Sequence, residues 1–263
     1  HAGAQLQANR FTEQPQGPSE VTPKGAPLGF YGDQTEWQTP AAMTKADIQA
    51  AVDGFAQSAA NAKAAGFDGI EIHGANGYLL NQFLSTYFNR REDEYGGALE
   101  NRLRLVVEVV RAVREAVGEN FTVGIRLSQG TVTDPDYQLP EGAAGFRQIV
   151  EAVRDAGADF VHTTDGEVNR KHFVEGDESL ASVAASVEGI NLILNGSIDE
   201  TNCQDVANQF PHTLLAVGKK ALANPDFVQR LKDGKEIADI DFAMLQPKAT
   251  ITNELAWRKQ NAA

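Results

Sequence analysis

The sequence of 263 residues has one cysteine, no excess of basic charge and no long apolar run. A single cysteine, Cys203, permits no internal disulfide and no iron–sulfur or four-thiolate site, so a reducing, cytoplasmic location is expected. With 23 basic and 36 acidic side chains the net charge is −13, which repels nucleic acid and anionic membranes. No stretch approaches the roughly 18 apolar residues of a membrane-spanning helix. We therefore expect neither nucleic acid nor a membrane as partner, while assembly as a homo-oligomer stays open.

Several catalytic signatures are also absent from the sequence. It has no cluster of His, Cys and carboxylate residues at metal-ligand spacing, so no metal site is predicted. Neither a Gly-x-Ser-x-Gly nucleophile motif nor a Walker-type phosphate loop occurs. Hydrophobic and charged fractions of 42% and 22% are ordinary for a globular protein, and they predict a packed core.

The pattern along the chain divides it into three regions, which we treat as a single domain over residues 1–263. Residues 1–43 are rich in proline and have no sustained period, which indicates an irregular loop. Residues 44–234 alternate apolar strands with helices, and residues 235–263 form a C-terminal tail. The strands are predicted at 67–73, 121–127, 158–164, 190–195 and 213–218. The helices are predicted at 44–65, 99–118, 141–156, 180–187, 200–208 and 225–232.

This alternation is typical of βαβ units in a parallel sheet. The strands look apolar on both faces, as a sheet covered on both sides requires. We predict an α/β fold of the (β/α)8 TIM-barrel type with five complete strand–helix units, after a first helix that has no strand of its own. Eight units would need three more strands, which residues 1–43 do not contain. The predicted barrel is therefore incomplete.

Polar residues that could bind a ligand or take part in catalysis follow or interrupt the predicted strands. His73 and Asn76 can donate to a carbonyl or nitro oxygen, and the phenol of Tyr78 can deliver a proton. The alternative is an ordinary Asn-Gly turn beside a capped strand end and a core aromatic. Arg126, inside an apolar strand, needs a partner. That partner is either a bound cofactor or a neighbouring carboxylate such as Glu71.

The last two predicted strands both end at glycine turns, Asn195-Gly196 and Gly218-Lys219. Such a pair in adjacent units forms the usual phosphate site of a barrel, although each glycine alone fits an ordinary turn. Three histidines are not assigned to a site. We expect His162 to be either a core residue with its hydrogen bonds satisfied or a residue at the mouth of the barrel. We expect His172 and His212 to lie at the surface. The charged run at 89–94 is expected to be a solvated loop.

These residues occur within longer runs that resemble the old yellow enzyme family of FMN-dependent ene-reductases. The resemblance extends from residue 1 to about residue 234, and its most specific elements are HGANGYLLNQF and DEYGGALENR. VGIRLS, ILNGSI and AVGKKALANPD continue it. The resemblance implies a (β/α)8 barrel with FMN at its C-terminal mouth and NADH or NADPH as reductant. It also implies hydride transfer from the flavin to an activated alkene.

The resemblance also implies a role for each candidate residue. His73 and Asn76 would bind the carbonyl or nitro oxygen of the alkene substrate, and Tyr78 would protonate its α-carbon. Arg126 would face the N1/C2 carbonyl region of the flavin. The flavin phosphate would be held by Gly196, Gly218 and Lys219. The family more often has Arg at the position of Lys219. Lys carries the same charge but cannot donate two parallel hydrogen bonds to a phosphate as a guanidinium can.

One departure from the family lies at the start of the sequence. HAG at residues 1–3 resembles the tail of the family's third strand, and the Gln that precedes it and the first two strands are missing. The resemblance thus implies that the chain holds strands 4 to 8 of the barrel. The alternative to an active ene-reductase is a truncated or split-barrel, non-catalytic remnant. The single cysteine argues against the longer relatives that append an iron–sulfur cluster.

Overall fold

The computed structural model describes residues 2–7, 9 and 12–261 and is built on a five-stranded parallel sheet. His1, the first residue of the segment likened to a third strand, lies outside the described residues. The strands are β1 (Gln16–Gly17), β2 (Ala41–Ala42), β3 (Gly69–Asn76), β4 (Thr122–Thr131), β5 (Phe160–Thr164), β6 (Asn191–Asn195) and β7 (Leu214–Ala216). The first helices are α1 (Lys45–Ala64), α2 (Leu79–Leu84), α3 (Leu99–Val117), α4 (Gly142–Asp155) and α5 (Leu180–Ala185). They are followed by α6 (Cys203–Gln209), α7 (Lys219–Ala223), α8 (Phe227–Asp233), a 3-10 turn (Phe242–Leu245) and α9 (Ile251–Asn261).

The main sheet has the strand order β3-β4-β5-β6-β7, and each strand is parallel to the next. Helices connect successive strands, as parallel neighbours require. The predicted α/β class, its parallel sheet and its five strands are confirmed. Within the described residues β3 and β7 form the two edges of this sheet, and its closure as part of a barrel remains a prediction.

The two faces of this sheet differ in chemistry. Side chains alternate along a strand, so one residue of each pair faces the helices and the next faces away. The helix-facing set is buried in the core: Ile72, Val123, Ile125, Leu127, Val161, Leu192 and Leu194. The other face, here called the polar face, bears Glu71, His73, Arg126, His162 and Asn195. The expectation that the strands are apolar on both faces is therefore wrong.

The two long helices confirm the signals read from the sequence. At the start of α1, Thr44 Oγ1 accepts from the Asp47 N–H at 3.2 Å, and Asp47 accepts from the Thr44 N–H at 2.8 Å, which closes a capping box. Helix α3 buries Leu and Val residues at helical spacing against the sheet and ends at Gly118, whose φ is +75°. Helices α1 and α3 therefore cover one side of β3 and β4.

Three short or peripheral helices were not predicted. Helix α2 has six residues, all buried, so it has no polar side that would reveal its period. Helix α7 has five residues, and α9 lies in the segment predicted to be a C-terminal tail. In the described part of the chain, no helix combines the length and the apolar character needed to cross a bilayer.

The run at 89–94 is not simply a solvated loop, because Arg91 ties the N-terminal segment to the rest of the structure. Its guanidinium donates to the carbonyls of Pro18 at 3.0 Å and Met43 at 2.6 Å and pairs with Asp93 at 2.6 Å. Asn89 is buried. The side chains of this run therefore anchor part of the segment over residues 1–43, which is otherwise irregular apart from β1 and β2.

Arg102 in α3 is the largest fully buried side chain, with 2% exposure. Its guanidinium donates to the carbonyls of Leu84 at 2.8 Å and Gly97 at 2.7 Å and pairs with Glu141 at 2.8 Å. Arg102→Ala should lower the free energy of unfolding by about 2–4 kcal/mol, because buried acceptors lose their donor. Arg111→Ala, at an exposed position of the same helix, should change it by less than about 0.5 kcal/mol. Urea denaturation compares the two, and equal losses would contradict the assigned role of Arg102.

Candidate active site

The polar residues of the sheet meet at the carboxyl ends of its strands. His73 in β3 and Arg126 in β4 are register partners, and Arg126 is in turn the partner of His162 in β5. In parallel α/β sheets, ligands bind outside the carboxyl ends of the strands, in the loops that follow them. Two of the residues predicted for binding therefore lie side by side on the polar face.

Arg126 begins a row of hydrogen bonds that links four strands, β4 to β7. Its Nη2 donates to Thr164 Oγ1 at 2.9 Å and to Asn195 Oδ1 at 3.4 Å. The Thr164 hydroxyl donates to the same Asn195 oxygen at 2.9 Å, and the Asn195 amide donates to the Ala216 carbonyl at 3.0 Å. Thr164 and Asn195 were not recognised as contacts of Arg126, because strand register alone brings them together.

The guanidinium of Arg126 is only partly satisfied. Its Nε is buried and has no hydrogen-bond partner among the described residues. The carboxylate expected as an alternative partner, Glu71, instead lies with Oε2 2.8 Å from Nδ1 of His162. The alternative considered for Arg126, a salt bridge to Glu71, is therefore not formed. A buried cationic donor without an acceptor fits a bound group that presents a carbonyl oxygen or an anionic nitrogen.

His73 and Tyr78 lie together at the edge of the sheet. Their ring centroids are 5.2 Å apart with the planes at 45°, and both residues line a cavity of about 350 Å³. Burial lowers the pKa of His73 below its ordinary value of 6.5, and the positive charge of Arg126 acts in the same direction. Burial also raises the pKa of Tyr78, with a smaller contribution from Tyr31. At neutral pH the site thus presents a neutral imidazole and a protonated phenol.

Asn76 ends β3 in a left-handed conformation, with φ of +61°, and Gly77 follows with φ of +83°. The Asn-Gly pair is thus a tight turn, as the plainer interpretation expected. Asn76 nevertheless lines a cavity of about 190 Å³ together with Ser128, Thr164 and Asp165. His73 does not line this cavity, so the two predicted substrate-binding residues border different spaces.

A third cavity, of about 400 Å³, contains the predicted phosphate residues Gly218 and Lys219. Lys219 is exposed and forms no ion pair within the described part of the chain. The neighbouring Lys220 pairs with Glu200 at 2.8 Å and Asp239 at 2.9 Å, and these contacts raise its pKa. Lys219 is therefore the cation that remains available to an anion.

Gly196 has a different environment from the one predicted. A Cβ at this position would lie 2.3 Å from the Val168 N, and the Val168 N–H donates to the Gly196 carbonyl at 3.0 Å. This glycine packs against the loop after β5 and is not among the residues that line the third cavity, although its neighbours Asn195 and Ser197 are. Asp165 and Gly166 line both this cavity and that of Asn76, so the two spaces are contiguous.

The loop after β5 contains a buried pair that was not expected. His172, predicted to lie at the surface, is 1% exposed, and its Nδ1 is 2.6 Å from Asp165 Oδ2. The Gln129 amide donates to the His172 carbonyl, and Gln129 Oε1 accepts from the Leu139 N–H at 2.8 Å. These bonds join the loops after β4 and β5, and Asp165, one of the residues involved, lines both contiguous cavities. Among the residues that the structure describes, no group of three or more His, Cys, Asp or Glu could bind a metal.

Known proteins resemble the chain over most of its length. A family model described as the NADH:flavin oxidoreductase / NADH oxidase family matches residues 1–237. An NADH oxidase of Thermoanaerobacter brockii is 33% identical over 245 residues, which are 90% of this chain and 36% of that protein. A probable flavin mononucleotide-dependent alkene reductase of Leishmania infantum is 35% identical over 204 residues, which are 77% of this chain and 54% of that protein.

The chain also resembles the solved structure of a known protein. The old yellow enzyme homologue of Zymomonas mobilis superposes with a TM-score of 0.82 and 26% identity, covering 97% of this chain and 70% of that one. The chain thus spans 36% to 70% of the length of these three proteins. The resemblance to the old yellow enzyme family is confirmed.

The electrostatics of His73 can be measured by NMR titration of its ring. Its pKa should lie below 6.5, so the folded state loses stability as the pH falls through 6.5, where the unfolded chain binds the proton first. Glu71→Gln should lower this pKa further, because the Glu71 charge opposes the downward shift. Glu119→Gln, at an exposed and distant position, is the control and should leave it unchanged. A pKa at or above 6.5 in the native protein would contradict the assigned environment.

Proposed function

The chain belongs to the NADH:flavin oxidoreductase / NADH oxidase family, and on that basis we propose that it reduces activated alkenes with FMN. The reductant is NADH or NADPH, and the substrate is an α,β-unsaturated carbonyl or nitro compound. The family consists of oxidoreductases that use a flavin and a nicotinamide nucleotide. The main support in this chain is Arg126, whose buried Nε has no acceptor among the described residues.

The residues of the polar face fit FMN. Arg126 would donate its free N–H to the N1/C2 carbonyl region of the flavin, where negative charge develops on reduction. The two cavities share the lining residues Asp165 and Gly166; one is bordered by Asn76 and the other by Gly218 and Lys219, an arrangement that would suit a ring system with a phosphate at its far end. Gly196 would support this end indirectly, by allowing the loop after β5 to approach. When bound, FMN supplies the hydride that the alkene accepts.

His73 and Asn76 would orient the substrate through its electron-withdrawing oxygen. The lowered pKa of His73 keeps the imidazole neutral, so one ring N–H donates without adding a full charge. The Asn76 carboxamide is a second neutral donor. Two such donors polarise the conjugated double bond and stabilise the negative charge that develops on the oxygen. The two residues border different cavities. The proposed role therefore requires the substrate oxygen to lie where both donors can reach it.

Tyr78 would complete the reduction as a general acid. As hydride bonds to the β-carbon, the Tyr78 hydroxyl gives its proton to the α-carbon, and the phenolate then regains a proton from solvent. The raised pKa of Tyr78 keeps this proton in place until the α-carbon becomes basic. A non-catalytic remnant is not favoured as an alternative, because the matched family is one of oxidoreductases.

The test is reconstitution of the chain with FMN, followed by oxidation of NADH or NADPH in the presence of 2-cyclohexenone. Tyr78→Phe should leave reduction of the bound flavin within about twofold and should slow transfer to the enone by about 100-fold, since only the second step needs the proton donor. Tyr87→Phe, whose hydroxyl donates to the Thr22 carbonyl outside the site, should leave both steps unchanged. Stopped-flow absorbance separates the steps.

Two results would count against the proposal. If no flavin binds after reconstitution, the assignment of FMN to this chain is wrong. If Tyr78→Phe slows both steps equally, Tyr78 is not the proton donor.

A further inference from the structure

Three buried polar side chains hold the Asn76-Gly77 turn: Ser128 bonds to the backbone of Asn76, and Asn81 and Gln82 bond to the backbone of Gly77. We call these three side chains the Asn76 clamp. A left-handed backbone conformation costs a non-glycine residue roughly 1 kcal/mol, and the cost is smallest for Asn and Asp. Such a conformation persists only where contacts with the surrounding structure stabilise it. Asn76 is one of few described non-glycine residues with positive φ, and it is the only one of these within the main sheet.

Ser128 bonds directly to the strained residue. Its Oγ accepts from the Asn76 N–H at 2.7 Å and donates to the Gly130 carbonyl at 2.8 Å, so the hydroxyl has both a donor and an acceptor role. On the other side, the Val132 N–H donates to the Asn76 carbonyl at 3.2 Å. Both backbone polar groups of Asn76 are therefore bonded to β4 and the residue after it. Ser128 lies only two residues after Arg126.

Asn81 and Gln82, both in α2, hold the next residue in the same way. The Asn81 Oδ1 accepts from the Gly77 N–H at 2.8 Å, and the Gln82 amide donates to the Gly77 carbonyl at 2.6 Å. The Asn81 amide donates in turn to the Ser128 carbonyl at 2.9 Å, which closes the clamp. All three side chains are buried, so water cannot replace a lost partner without reaching the interior.

We propose that Ser128 and Asn81 are positioning residues that keep Asn76 left-handed and so direct its carboxamide toward the oxygen of the substrate. This inference rests on the proposed function. The side chain leaves the backbone at an angle that φ determines, so relaxation to the usual negative φ would turn the carboxamide away. Without the Ser128 hydroxyl, the part-buried Asn76 N–H loses its acceptor, and the strained conformation loses its main support.

A double-mutant cycle separates positioning from general support of the fold. FMN-loaded protein is titrated with cyclohexanone, a ketone without an alkene, and binding is followed by the flavin absorbance. Ser128→Ala should weaken ketone binding about fivefold when Asn76 is present, the loss of about one hydrogen bond. In the Asn76→Ala background the same change should have less than about a 1.5-fold effect. Ser128→Thr, which retains the hydroxyl, should restore binding.

The control is Ser179→Ala, which also removes a buried hydroxyl that accepts a backbone N–H, that of Ser182 at 3.1 Å. It should leave ketone affinity unchanged. A fivefold loss from Ser128→Ala in both backgrounds, or no loss in either, would overturn the positioning role. If Asn76→Ala itself leaves ketone affinity unchanged, the proposed role of Asn76 in the reaction fails instead.

Hydrogen exchange gives a second readout that needs neither flavin nor ketone. In the native chain the Asn76 amide should be protected by its bond to Ser128, and Ser128→Ala should accelerate its exchange about tenfold or more. Ser179→Ala should not change it. Unchanged protection of Asn76 in Ser128→Ala would overturn the clamp even if the chain binds no flavin.

Discussion

The guanidinium of Arg126 lies on the polar face of a sheet whose other face is buried under helices, and a charge in this position needs acceptors. Thr164 and Asn195 supply two, on the next two strands, and the buried Nε has none among the described residues. Burial lowers the pKa of the adjacent His73, and the charge of Arg126 acts in the same direction. The proposed cofactor contact and the protonation state of the proposed substrate-binding imidazole thus both depend on the Arg126 side chain.

Local signals in the sequence were sufficient for the long elements. The helices predicted at 44–65 and 99–118 are observed at Lys45–Ala64 and Leu99–Val117, within one residue at each end. The sequence does not predict helix α2, because all six of its residues are buried and no exposed side marks the helical period. The sequence predicts strands that are apolar on both faces, because Glu71 and His162 are isolated polar residues in it and only strand pairing brings them together.

In the candidate site, too, the sequence predicts residues but not the contacts between them. His73, Asn76, Tyr78 and Arg126 could be named because residue type and position after a strand indicate chemistry. The contact of Ser128 with Asn76 depends on the pairing of β4 with β3, and that of Asp165 with His172 depends on the path of the loop after β5, which no local pattern encodes. His172 was placed at the surface for this reason. The residues that hold the site together were therefore harder to predict than those that would touch the ligand.

The claim that Arg126 anchors a flavin on the polar face is tested most directly by equilibrium titration of the chain with FMN. Wild type should bind one FMN per chain with a shifted flavin spectrum, and Arg126→Met should lose at least about tenfold in affinity, as expected when a charge-assisted hydrogen bond is removed. Both proteins should unfold cooperatively. Equal FMN affinity in two folded proteins would contradict the account.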